Sequence, residues 1–184
     1  ATGSTYEVTS DGDGIDCNGS FYAYGGEIYV IGGTSGGNGA IDRDDNFILG
    51  SGVKLFAIGS SDMIEGVTEA NQAYIQTSNA SVSKGSTVTI KNDNTTLFDY
   101  STTFGTTAKK TASYILFSSP DLNEGDSYTL AVGNTTTPLT ATKEASSSGM
   151  GGTPPEKPSD NGGQGGNQGG GNQGGGFQGG GNHY

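Results

Sequence analysis

Short apolar runs punctuated by glycine fill the first sixty residues, and two stretches repeat. DGIDCNGSFYAYGGEIYVIGG, from Asp13, can be set above GAIDRDDNFILGSGVKLFAIGS, from Gly39. Ile15 then falls on Ile41, Asp16 on Asp42 and Phe21 on Phe47, at an offset of 26. One residue is inserted after Gly52, so Ile28 falls on Leu55 and Gly32 on Gly59 at an offset of 27. A period of this length, with β-rich runs between glycines, predicts stacked coils of a short right-handed parallel β-solenoid over residues 1–60. Alternation assigns the faces. Phe21 and Ala23 stack on Phe47 and Leu49, and Ile28 and Val30 on Leu55 and Ala57, all facing inward. Tyr22, Tyr24, Tyr29 and Phe56 then face outward. Two coils cannot close a core alone. Either further coils precede TYEVTS, or a second domain covers the open end.

The rhythm changes after residue 72. Strand-like runs occur at Ala73–Thr77, Ser86–Lys91, Thr95–Tyr100, Ala112–Ser118 and Ser127–Val132. Turn-forming groups separate several of them, such as Lys84-Gly85, Asn92-Asp93-Asn94 and Asn123-Glu124-Gly125-Asp126. This spacing predicts a small antiparallel β-sandwich over residues 73–146. Residues 61–72 are expected to connect the two parts, with a helical turn capped by Ser61 or Asp62. The fold class expected is therefore all-β.

Composition separates a third segment. Of the 38 residues from Ser147 to Tyr184, 16 are Gly, with Asn and Gln as the main fillers. Such a segment buries too little apolar surface to offset its ordering entropy, so 147–184 is expected to be a disordered, flexible tail. The formal net charge of −11 argues against a nucleic-acid surface on electrostatic grounds. Most of that excess lies in residues 1–70, with eleven Asp or Glu against two Lys or Arg. No run of about 18 apolar residues is present, so no membrane insertion is expected. No charged, then apolar, leader opens the sequence either. The single Cys and single His exclude an internal disulfide and an ordinary zinc site.

The stretches DGIDCNGSFYAYGGEIYV, NGAIDRDDNFILGSG and SSPDLNEGDSYTLAVG together resemble the C-terminal half of a bacterial family. Its members are called carbohydrate-binding domain-containing proteins. The resemblance covers roughly residues 6–133. It implies a secreted or cell-surface protein, a β-solenoid followed by a β-sandwich, and binding of a polysaccharide or other glycan. Cys17 stands where that family commonly has Ala.

Two groups of residues carry candidate chemistry. Asp13 and Asp16 lie at one coil corner, and Asp42 and Asp44 at the matching corner of the next. Stacking at about 4.8 Å sets Asp16 on Asp42, where like charges repel unless neutralised. Ca²⁺, a hard cation with oxygen ligands, would neutralise them. The alternative is that these carboxylates cap turns through backbone N–H groups. An EF-hand match fails, because Ile15 occupies a ligand position. A glycosidase or lyase is not expected either: Asp16 and Asp42 meet only the distance condition for a carboxylate pair, and Arg43 is the one base nearby. The second group is the outward tyrosines. Tyr22, Tyr24 and Tyr29 offer ring faces to the apolar side of a sugar, with Asn18 and Asn38 to bond its hydroxyls. The alternative is that these rings pack against a neighbouring domain. The expected function is an extracellular, non-catalytic carbohydrate-binding module. Its rival is a structural surface protein, an adhesin or filament subunit, that self-associates through exposed β edges.

Overall fold

The computed structural model describes residues 3–34, 37–102 and 111–146. The tail expected at 147–184 lies outside the described residues. The described chain is all-β, in several sheets of which none closes on itself. The described residues form one compact unit.

The repeat is realised as parallel ladders. β1 (Thr5–Thr9), β4 (Gly26–Ile31) and β7 (Val53–Gly59) pair in parallel. β2 (Ile15–Cys17) pairs in parallel with β5 (Ile41–Arg43), and β3 (Phe21–Ala23) with β6 (Phe47–Leu49). The registers are those of the sequence alignment: Ile15 on Ile41, Phe21 on Phe47, Ile28 on Leu55. A third strand joins the last ladder, β8 (Glu69–Ala70), in parallel with β6. Inward columns from all three ladders meet in one apolar cluster that includes Ala23, Val30, Ile41, Phe47, Leu49 and Leu55.

The β7 sheet does not end with the repeat. β12 (Tyr114–Ser118) pairs antiparallel with β7, and β9 (Tyr74–Thr77) pairs with β12. The boundary expected at residue 60 is therefore crossed by a continuous five-stranded sheet, β1-β4-β7-β12-β9. The four strands β10 (Thr87–Asn92), β11 (Thr95–Ser101), β13 (Ser127–Val132) and β14 (Thr135–Thr140) form a separate antiparallel sheet, ordered β11-β10-β13-β14. A second apolar cluster joins the two sheets, with Phe56, Ile58, Ile75 and Phe117 from one and Val88, Ile90, Phe98 and Leu130 from the other. The five-stranded sheet is thus buried on both faces at β7 and β12. That is why β7 and β12 read as nearly unbroken apolar runs and not as an alternation.

No helix occurs among the described residues, so the helical turn expected at 61–72 is replaced. Ser61 donates its amide to Ser113 Oγ (2.9 Å) and Asp62 donates its amide to Ser60 Oγ (3.0 Å). These bonds hold a bent, non-helical path that leads into β8. Among the described residues no helix is long and apolar enough to cross a membrane.

Candidate functional site

The outward face of the three-stranded sheet β3-β6-β8 carries the candidate site. Ala23 pairs with Leu49, and Leu49 with Ala70, and this column faces the core. Alternation therefore turns the next column, Tyr22, Ile48 and Glu69, outward. The strands then continue to Tyr24, Gly50 and Asn71. Gly50 donates its amide to Ala23 O (2.8 Å) and Asn71 to Leu49 O (2.8 Å), which keeps those three residues level across the sheet.

Tyr22 and Tyr24 are 55% and 51% exposed, two of the three large apolar side chains most open to solvent among the described residues. Their rings lie nearly parallel, with centroids 6.4 Å apart and planes at 14°. Tyr24 is set down on Gly50, where a Cβ would collide with the ring. Glycine is required there because the aromatic ring takes the space a side chain would fill. Beyond the aromatic edge lie half-buried Ile48 and then Glu69, whose Oε1 accepts from Asn71 Nδ2 (3.3 Å). Three rungs at about 4.8 Å give a flat strip about 10 Å across. One margin is aromatic, the floor is apolar, and the other margin holds an amide and a carboxylate. Such a surface can stack on an apolar ring face and bond hydroxyls at its rim.

Tyr29 is not part of this strip. It lies on β4 in the five-stranded sheet, and its outward side faces the four-stranded sheet. Its ring stacks on Tyr100 (5.5 Å) and Phe98 (6.1 Å), and its hydroxyl donates to Glu27 Oε2 (3.0 Å). Burial first, then the Glu27 carboxylate, pushes the Tyr29 hydroxyl up to about 12. Phe56, one rung along, is fully buried in the same place. The packing alternative for outward aromatics thus holds for Tyr29 and Phe56, while Tyr22 and Tyr24 stay open. Asn18 is exposed in the turn between β2 and β3. Asn38 lies at a different corner, before β5, half-buried against Gly12 and Gly33. The expected five-residue glycan set is therefore split among four places.

The acidic corner is also divided. Asp13 Oδ1 accepts the Gly39 amide at 2.6 Å, which makes Asp13 a turn cap. Asp16 and Asp42 are register partners on β2 and β5, Asp16 exposed and Asp42 half-buried. Asp44 is exposed, and its amide donates to Cys17 O (3.3 Å). Arg43 turns away from the aspartates to Glu65, at 3.2 Å, and donates to Gly66 O (2.9 Å) and Asp45 O (2.6 Å). Among the described residues no group of three or more His, Cys, Asp or Glu is gathered to hold a metal ion. Burial, then the neighbouring Asp16 charge, raises the Cys17 thiol above its ordinary value.

Ile48, Gly50, Glu69 and Asn71 are site residues that the sequence reading missed. Glu69 and Asn71 fell inside the presumed connector because the repeat breaks there: Leu49 meets Ala70 only 21 residues on. The remaining signal is Glu-Ala-Asn, polar on either side of one small apolar residue.

No protein-family model matches the chain, and no curated protein or solved structure matches it either.

Proposed function

We propose that the chain is an extracellular, non-catalytic carbohydrate-binding module that holds a neutral glycan on the β3-β6-β8 strip. In this reading the parallel ladders are coils of a right-handed β-solenoid. The five- and four-stranded sheets form a β-sandwich fused to one of its sides. The observation that carries the reading is the exposed, parallel Tyr22–Tyr24 pair beside Ile48 and the Glu69–Asn71 margin. Among the described residues only three large apolar side chains are left exposed, and Tyr22 and Tyr24 are the two that lie side by side, in a chain that buries Phe56 and Tyr74 completely. The resemblance to bacterial carbohydrate-binding proteins supports the same ligand class and a cell-surface location.

The test is titration of a panel of soluble neutral polysaccharides by calorimetry. Tyr22→Ala or Tyr24→Ala is expected to weaken binding by roughly 1–2 kcal/mol, the order of stacking on an aromatic face, with the melting temperature unchanged. Binding is expected to be insensitive to salt, since a neutral sugar displaces no counterions. Unchanged affinity in the double variant overturns the site. Regular polymers formed without glycan would favour the structural role instead.

A further inference from the structure

The outward strip of β3-β6-β8 runs further than its two rings. Past Tyr24 the chain turns at Gly25 and Gly26, at φ +60° and +70°, and enters β4. In the other direction the strip continues by one column. Phe21 and Phe47 face the core, so alternation turns Ser20 and Asn46 outward, on the side of Tyr22 and Ile48. The two residues are level. Asn46 donates its amide to Ser20 Oγ (3.2 Å), and Asn46 O accepts the Phe21 amide (2.7 Å). Asn46 is exposed and Ser20 half-buried. On the β8 side Val67, two residues before Glu69, is fully buried. This column therefore offers a hydroxyl and an amide, and no ring.

Successive outward columns are two residues apart along the strands, about 6.6 Å. The Tyr22 and Tyr24 rings keep that spacing, with centroids 6.4 Å apart. It is close to the length of one sugar in an extended polysaccharide. A glycan crossing the strands would lie over one column and meet one ring. A glycan lying along them meets both rings, and each column sets a polar group beside it. Glu69 stands in the Tyr22 column, Asn71 in the Tyr24 column, and Asn46 with Ser20 in the third. A further strand beside β3 would widen the sheet and leave these columns on its face.

We propose, resting on the reading of the strip as a glycan site, that it takes three consecutive sugars of a linear, uncharged polysaccharide lying along β3, with Asn46 and Ser20 holding the third through its hydroxyls. Two sugars stack on the rings and bond to the Glu69–Asn71 margin; the third is held by hydrogen bonds alone. The test is calorimetry of the full chain with oligosaccharides of two to six sugars cut from β-1,4-glucan, mannan and xylan. Affinity is expected to rise about fivefold from two sugars to three, the worth of one net hydrogen bond, and to change little beyond. Asn46→Ala is expected to bind the trisaccharide as weakly as the disaccharide, with disaccharide binding and melting temperature unchanged. Tyr22→Ala and Tyr24→Ala are each expected to weaken the trisaccharide about tenfold. Equal affinity for two and three sugars, or a step that survives in Asn46→Ala, overturns the third position. A trisaccharide indifferent to one of the two rings overturns the lengthwise course. In both cases a site that is lost in the double tyrosine variant still stands. Oligosaccharides that do not bind, or that bind equally well without both rings, overturn the strip itself and the third position with it.

Discussion

Replacing Tyr29 by Ala separates a packed tyrosine from an open one. The ring is half-buried between the two sheets, stacked on Tyr100 and Phe98. An aromatic side chain buries about 150–250 Å² when fully enclosed, so a half-buried ring removes roughly 100 Å² from water. At about 25 cal/mol per Å² that is about 2.5 kcal/mol. Lost ring pairing adds several tenths to about 1 kcal/mol, because part of the gap is filled by solvent and not left as a void. The sum is roughly 3 kcal/mol. For a folded unit of about 150 residues, each kcal/mol moves the melting temperature by about 2–4 °C, so Tyr29→Ala is expected to lower it by roughly 6–12 °C. Tyr29→Phe keeps the stack and loses only the hydroxyl bond to Glu27, at about 1 kcal/mol. Tyr22→Ala, at an exposed position, should stay within about 0.5 kcal/mol of the parent. Differential scanning calorimetry of the three variants in one buffer reads all of this. If Tyr29→Ala melts where Tyr22→Ala does, the four-stranded sheet is not seated on that face and the reasoning fails.

Alkaline pH should reach the same interface. The Tyr29 hydroxyl is raised from about 10 to about 12, and Tyr100 is also raised, chiefly by burial and then by its bond to Glu7. Their contribution to stability is whole below pH 10 and is lost as pH climbs toward 12, so the denaturant midpoint should fall across that window and fall less in Tyr29→Phe. Gln72 is 7% exposed and ties three groups together: its Oε1 accepts the Gly52 amide (2.8 Å), and its Nε2 donates to Val53 O (2.7 Å) and Ser118 Oγ (2.8 Å). Gln72→Leu strands a buried donor and acceptors, and urea unfolding should show a loss of about 2–4 kcal/mol. Asp16 and Asp42 carry the calcium expectation, and their register pairing makes the sign of one experiment decisive. If Ca²⁺ neutralises the pair, chelation lowers the melting temperature and Asp16→Asn with Asp42→Asn removes the difference; if the pair only repels, chelation does nothing and Asp42→Asn raises stability by a few tenths of a kcal/mol at low salt.

Much of the backbone plan is written locally. The parallel registers Ile15 on Ile41 and Phe21 on Phe47 follow from a repeat visible in the letters, because a column of the core must be filled by the same kind of residue at each rung. The runs at β9 to β13 were legible from alternation and turn residues, with Asp93 at the tight turn at φ +48°. β14 was not, since Pro138 argues against a strand, and it is tolerated because β14 lies at the edge of its sheet.

Which outward residues meet solvent was decided only by the tertiary structure. Tyr22 and Tyr29 have the same place in the alternation of their strands, facing away from the coil core, and nothing local distinguishes them. The difference arises because β12 and β9, which begin 55 and 15 residues beyond the end of β7, extend the β4-β7 sheet and bring the four-stranded sheet onto its outer face. Among the described residues the β3-β6-β8 sheet receives no such cover. The same long-range pairing carries Glu69 and Asn71 to the margin of the strip from a segment where the repeat has lapsed. Period and alternation fix which face a side chain takes, since they follow from backbone geometry within one strand. What lies against that face depends on contacts between distant segments, and the sequence carries those only as the sum of its packing.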